Sequence, residues 1–157
     1  MKKFILLLFL YFISVTNINA ETVRIISGNK DAKTTIIIYE SLTCSHCANF
    51  HKEIYPQLKK EYIDTGLAKI EFRHFPLDVA AFNASKIAQC KNNQSEELGL
   101  KILESFYSNQ QAWVKGNTIE EINENLKKFL KKEGFTLDFE NCIKNEEIED
   151  FVLNDRI

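Results

Sequence analysis

The chain has 157 residues, enough for one domain and too few for two ordinary ones. Hydrophobic residues make up 45% and charged residues 27%, which excludes an intrinsically disordered chain. Acids outnumber bases 22 to 20, so nothing indicates the basic face that nucleic acid would require.

Lys2 and Lys3 precede a largely apolar run, 4–15, and Ala20 supplies a small residue at a cut site. That pattern is expected of a secretory signal peptide over 1–20, the apolar run being short for a bilayer span. An uncleaved N-terminal anchor is the alternative. Without Lys2 and Lys3 the remainder keeps 18 basic against 22 acidic residues. Four cysteines in an exported chain point to an oxidising compartment, where disulfides persist.

Val23 to Ile26 is expected as a short strand, closed by a turn at Ser27-Gly28-Asn29. Thr34 to Tyr39 is nearly continuously apolar, as for a strand buried on both faces of a sheet. A helix from about Cys44 to Tyr62 follows, with Pro56 expected to kink or split it. Gly66 marks a turn, and Leu67 to Phe75 alternates as a second main strand. A strand–helix–strand connection of this length predicts a parallel pair.

Beyond Pro76 only helices are expected. Asp78 caps one running to about Lys91, and Ser95 caps another through Phe106. Thr118-Ile-Glu-Glu121 has capping-box spacing before a helix that Gly134 ends. Short helices fit Leu137 to Asn145 and Glu146 to about Asp155. Trp113 falls in a helix–helix connection and reads as packing, and His74, ending a strand, reads as structural.

The chemistry concentrates at Tyr39-Glu-Ser-Leu-Thr-Cys44-Ser-His-Cys47. With Thr43 as N-cap, Cys44 stands in the first helical turn, where free N–H groups and the helix dipole favour a thiolate. Cys47, one turn on, can close a small disulfide ring with it. His51 lies four residues after Cys47, so Cys44, Cys47 and His51 form a possible three-ligand metal set, the alternative being a partly exposed helix residue. Cys90 and Cys142 each lie on an apolar helix face, and an exported chain with an even cysteine count is expected to join them in a structural disulfide, the alternative being two free buried thiols.

Cys44-Ser-His-Cys47, with Glu40-Ser-Leu-Thr ahead and Phe75-Pro76-Leu77-Asp78 after the next strand, resembles the DsbA family, especially its α-proteobacterial members. The resemblance implies an α/β, thioredoxin-like fold with an inserted helical subdomain. Residues 21–77 would form the βαβ part and 78–157 the helical insertion, within one structural domain. It implies a protein disulfide oxidoreductase without cofactor or metal, periplasmic, that introduces disulfides into other secreted proteins. Its partners would be unfolded or reduced secreted chains and a membrane reoxidant of the DsbB type. Cys44 would attack and Cys47 complete the redox disulfide. His46 would donate a hydrogen bond or place positive charge near the sulfur. Glu40 would be a buried proton carrier beneath the cysteines, or else a carboxylate facing solvent. Some relatives carry a second cysteine pair in the helical block, where Cys90 and Cys142 stand.

The family also places a cis-proline loop opposite the cysteines, and neither Pro56 nor Pro76 fits it. The expectation is therefore a chain lacking the C-terminal part of the thioredoxin domain, with an apolar edge left on the strand 34–39. Other readings of the same residues are a disulfide isomerase or reductase, a periplasmic metal-binding protein using Cys44, Cys47 and His51, and a non-catalytic remnant.

Overall fold

The computed structural model describes residues 22–156, so the expected signal peptide lies outside the described part. Three strands form one mixed sheet in the order β1 (Ile25–Ser27), β3 (Ala68–His74), β2 (Thr34–Glu40). β2 and β3 run parallel with Ile36 opposite Ile70 and Ile38 opposite Phe72, while β1 pairs antiparallel with β3. β3 is the central strand: Ala68, Ile70, Phe72 and His74 are buried on one face.

The expectation that Thr34–Tyr39 is buried on both faces is corrected. β2 pairs on one side only among the described residues, and Ile37 and Tyr39 stay 46% and 51% exposed. Its apolar run is continuous because Ile36 and Ile38 serve the core while Ile37 and Tyr39 occupy the outer face.

Between β2 and β3 lies α1, residues 45–63, in which α-helical Ser45–Asn49 and Tyr55–Leu58 alternate with π-helical Phe50–Ile54 and Lys59–Ile63. Pro56 has no N–H to donate, and just before it the Tyr55 N–H reaches back five residues to the Phe50 carbonyl. The expected kink is thus taken up as a wide turn. That turn carries His51, buried, beside exposed Lys52, Glu53 and Ile54.

The rest is helical: α2 (Val79–Gln94), α3 (Glu96–Ser108), α4 (Gln110–Trp113), α5 (Ile119–Lys132), α6 (Phe139–Lys144) and α7 (Glu146–Asn154). Caps set several of the starts. Asp78 accepts from Ala81 N–H at 2.8 Å, Asp138 from Asn141 N–H at 3.1 Å and Asn145 from Ile148 N–H at 2.9 Å. Thr118 accepts from Glu121 N–H, and Glu121 accepts from Asn117 N–H, one residue beyond the Thr118 N–H of a strict capping box. Ser95 stands at the N-cap of α3 without a side-chain bond.

The core joins the inner face of the sheet to the helical block. Phe72 and Ile25 meet Ile87, Ile102 and Phe106, and fully buried Trp113 donates its indole N–H to the Phe106 carbonyl at 2.9 Å. Two glycines are obligatory. Gly28 has φ +103°, and a Cβ there would lie 2.5 Å from Ile63; a Cβ at Gly99 would lie 2.3 Å from Asn92, where α2 and α3 cross. Cys90 on α2 and Cys142 on α6 are joined by a disulfide with Cα atoms 5.7 Å apart. No helix among the described residues is long and apolar enough to cross a membrane.

Candidate redox site

Cys44 and Cys47 are free thiols, both partly exposed, at the end of β2 where α1 begins. The cap is Cys44 itself and not Thr43: its sulfur accepts from Cys47 N–H at 3.3 Å, in the place an oxygen takes at most helix starts. Thr43 instead donates to Asp78 Oδ2 at 2.8 Å, tying the turn to the start of α2. The sulfur therefore meets the free N–H groups more directly than a first-turn residue would.

This geometry separates the two thiols. Burial alone would push Cys44 up, but hydrogen bonds from the Cys47 thiol and from the Cys47 and His46 backbone N–H groups outweigh it. Together they hold Cys44 below the ordinary thiol range. Burial pushes Cys47 up to about 11, and the neighbouring Cys44 sulfur adds to the rise. One thiol is thus set to ionise and its partner to keep its proton. His46 contributes through its backbone; its ring is exposed and, among the described residues, makes no hydrogen bond to either sulfur.

The turn before the cysteines is pinned from far away. Gln110 on α4 donates its amide to the Leu42 carbonyl at 2.9 Å and the Cys44 carbonyl at 3.1 Å. Ser41 Oγ accepts from Leu77 N–H at 3.3 Å, and Phe75 N–H donates to the Glu40 carbonyl at 2.8 Å.

Glu40 closes β2 beneath the site and is 5% exposed, which excludes the solvent-facing alternative. Its Oε2 lies 2.9 Å from His51 Nε2. Burial raises the Glu40 carboxyl above its usual range, and the hydrogen bond and charge of His51 oppose the rise. His51 is buried too, contrary to the expectation of a partly exposed residue, and stacks on Tyr107 at 4.0 Å between ring centroids. With Nε2 taken up by Glu40, the metal set Cys44, Cys47, His51 does not assemble. Among the described residues no group of three or more His, Cys, Asp or Glu side chains is placed to hold a metal ion. His74 is buried, with Nε2 3.3 Å from Gln89 Oε1, and its backbone N–H donates to Asp155.

Gln110, Tyr107 and the burial of His51 escape sequence reasoning. Each depends on a contact between segments distant in the chain, for which one sequence carries no signal. The Phe50-His51 position just ahead of Pro56 was the one local hint, since a helix must loosen before a proline.

The chain matches a family model described as thioredoxin over residues 20–156. It is 42% identical over 66 residues to a Rickettsia bellii protein provisionally named a protein-disulfide oxidoreductase, covering 42% of this chain and 26% of that one. A Rickettsia prowazekii protein of the same name is 32% identical over 95 residues, covering 60% of this chain and 34% of that one. The crystal structure of Wolbachia pipientis α-DsbA1 superposes with TM-score 0.74 at 29% identity, over 85% of this chain and 65% of that one. The chain thus spans about a quarter to a third of these curated relatives and under two thirds of the Wolbachia protein.

Proposed function

The chain belongs to the thioredoxin family and is DsbA-like in fold, and from that premise we propose that it exchanges disulfides with other proteins through Cys44 and Cys47. The observation that carries this reading is the Cys44 sulfur standing as the cap of α1, 3.3 Å from the Cys47 N–H, which lowers Cys44 while burial raises Cys47. A substrate thiolate attacks Cys44 of the oxidised pair, the Cys44–Cys47 bond breaks, and Cys47 takes a proton. The second substrate thiolate then attacks its own sulfur in the mixed disulfide, and Cys44 leaves as a thiolate. The substrate is oxidised by two electrons and the enzyme dithiol receives them. A stabilised Cys44 thiolate favours the reduced enzyme and so makes the disulfide a stronger oxidant. DsbA is the standard instance of that principle.

Export by the 1–20 segment, a periplasmic location, reduced secreted proteins as substrates and a DsbB-type membrane reoxidant complete the proposal. His46, exposed at the mouth, would lend positive charge to the Cys44 sulfur, and Glu40 would carry the Cys47 proton. Oxidised protein mixed with a reduced, unfolded secreted protein should form substrate disulfides, and a Cys47→Ser variant given a disulfide-containing substrate should trap the mixed disulfide at Cys44. Absence of any adduct at Cys44 overturns the reading. Repair of a scrambled substrate faster than oxidation of a reduced one would favour the isomerase alternative.

A further inference from the structure

We propose that His51 is a positioning residue for this chemistry, holding the Glu40 carboxyl in place and relaying the proton that Glu40 exchanges with Cys47. The inference rests on the dithiol reading above and adds to it a route for the proton.

Glu40 lies at the end of a buried strand and its side chain is 4% exposed; that of His51 is 5% exposed. A carboxyl so enclosed cannot trade protons with water directly. Its Oε2 bonds His51 Nε2, and among the described residues Glu40 Oε1, His51 Nδ1 and Tyr107 Oη are each buried without a hydrogen-bond partner. Three such atoms around one hydrogen-bonded pair are costly in a structural cluster, where every group is ordinarily satisfied. They are useful where a proton must change places.

The surroundings set the direction. The His51 ring stacks on Tyr107, at 4.0 Å and 15°, and Phe72 leans on it at 5.5 Å, so its swing away from Glu40 is opposed. The same residue lines two surface cavities, of about 590 and about 340 Å³, that follow one another between α1 and α3, and Glu40 lines neither. His51 is therefore the partition between the buried carboxyl and solvent. The other titratable groups facing this pair are Tyr55, Tyr107, Lys52, Lys59, Glu104 and His74, the last being the register partner of Glu40 on β3. Of these the Tyr107 hydroxyl comes near enough to Glu40 to bear on its ionisation, though beyond normal hydrogen-bond geometry.

The step balances during reoxidation by a small disulfide. Cys44 attacks oxidised glutathione, forming the mixed disulfide and releasing one glutathione thiolate. The Cys47 thiol gives its proton to the Glu40 carboxylate, and the Cys47 sulfur attacks Cys44. The Cys44–Cys47 bond forms and the second glutathione leaves as thiolate. His51 takes the Glu40 proton at Nε2 and passes one on from Nδ1, itself buried, to water that enters from the cavities it lines. Reduction of the enzyme runs the same transfers backward.

The experiment follows the lifetime of the Cys44–glutathione mixed disulfide by acid quench and mass spectrometry across pH, using oxidised glutathione and the full chain. His51→Gln retains an amide that can donate to Glu40 but cannot relay a proton. It should resolve the adduct at least about a hundredfold more slowly, the low end for lost general acid–base help, with formation of the adduct unchanged. His51→Ala opens Glu40 to both cavities, and added imidazole should shorten the adduct lifetime in proportion to its concentration. Thermal unfolding of both variants checks that they are folded. Wild-type resolution in folded His51→Gln, or no response of His51→Ala to imidazole, overturns the proposal. A wild-type protein that forms no adduct at all overturns the dithiol reading instead.

Discussion

The Gln110 side-chain amide donates to the Cys44 carbonyl across 66 positions of sequence, 3.1 Å from nitrogen to oxygen, and fixes the redox turn to the helical block. Its second bond, to the buried Leu42 carbonyl, leaves both acceptors without this donor if the amide is lost. Gln110→Ala should therefore cost about 1–3 kcal/mol, the range for a buried polar group left unpaired. Urea unfolding measures that loss. Alkylation of Cys44 should also slow, because a loosened turn no longer holds the Cys47 N–H against the sulfur.

Cys44 should be modified by iodoacetamide at mildly acidic pH faster than glutathione, while Cys47 stays unmodified until strongly alkaline pH. The sign follows from the backbone N–H groups aimed at Cys44 and from the burial that lifts Cys47 to about 11. Peptide mapping after timed quenching reads both rates. Equal rates at the two positions would remove the basis for assigning them different roles.

How much of this was legible beforehand depended on reach along the chain. Asp78 bonding Ala81 and Thr118 bonding Glu121 are contacts three residues long, and the spacing of side chains announces them. The strand–helix junction at Cys44 was legible for the same reason, although the cap proved to be the sulfur and not Thr43. The outward turn of Ile37 and Tyr39 was not, since an unbroken apolar run looks alike whether one face or two are covered. Glu40 with His51 and Gln110 with Cys44 join separate elements, and only the packed fold selects those partners.

Glu40→Gln should stabilise the protein at neutral pH and lose that advantage in acid. Burial raises the folded carboxyl above its unfolded value, so the wild-type contribution of Glu40 is best below the unfolded carboxylate range and declines as pH rises through the folded value. Glutamine keeps a hydrogen-bonding partner for His51 without the buried charge. A rise in Tm on the order of 2–4 °C near pH 7 corresponds to about 1 kcal/mol in a domain of this size. Thermal scans at neutral and acid pH compare the two forms, and a fall in Tm at pH 7 would contradict the sign.

The Cys90–Cys142 bridge closes a loop with a sequence separation of 52. In the chain-entropy account, a loop of that length stabilises the fold by about 4 kcal/mol. A Cys90→Ser, Cys142→Ser protein should unfold at correspondingly lower denaturant. Thiol titration of a denatured, unreduced Cys44→Ser, Cys47→Ser protein should find no reactive thiol; two would show that the bridge does not form.

His74 should make the fold sensitive to mild acid. Burial is the main cause that brings its imidazole down to about 4, the nearby Arg24 charge lowers it further, and Gln89 opposes them through a hydrogen bond. The unfolded chain takes up the proton near the ordinary value, about 6.5, and the folded one only near 4. Between those values the unfolded state binds more protons, so stability present above about pH 6.5 is lost as pH falls toward 4. The full loss is on the order of 3 kcal/mol for one group with that separation. Glu40 works in the opposite sense over the acid end of the range, so the wild-type curve alone mixes the two. Subtracting the curve of His74→Gln, whose amide does not titrate, isolates the histidine. The difference should vanish in slope above about pH 6.5 and steepen below it; a flat difference down to pH 4 would mean that His74 is not held neutral by the fold.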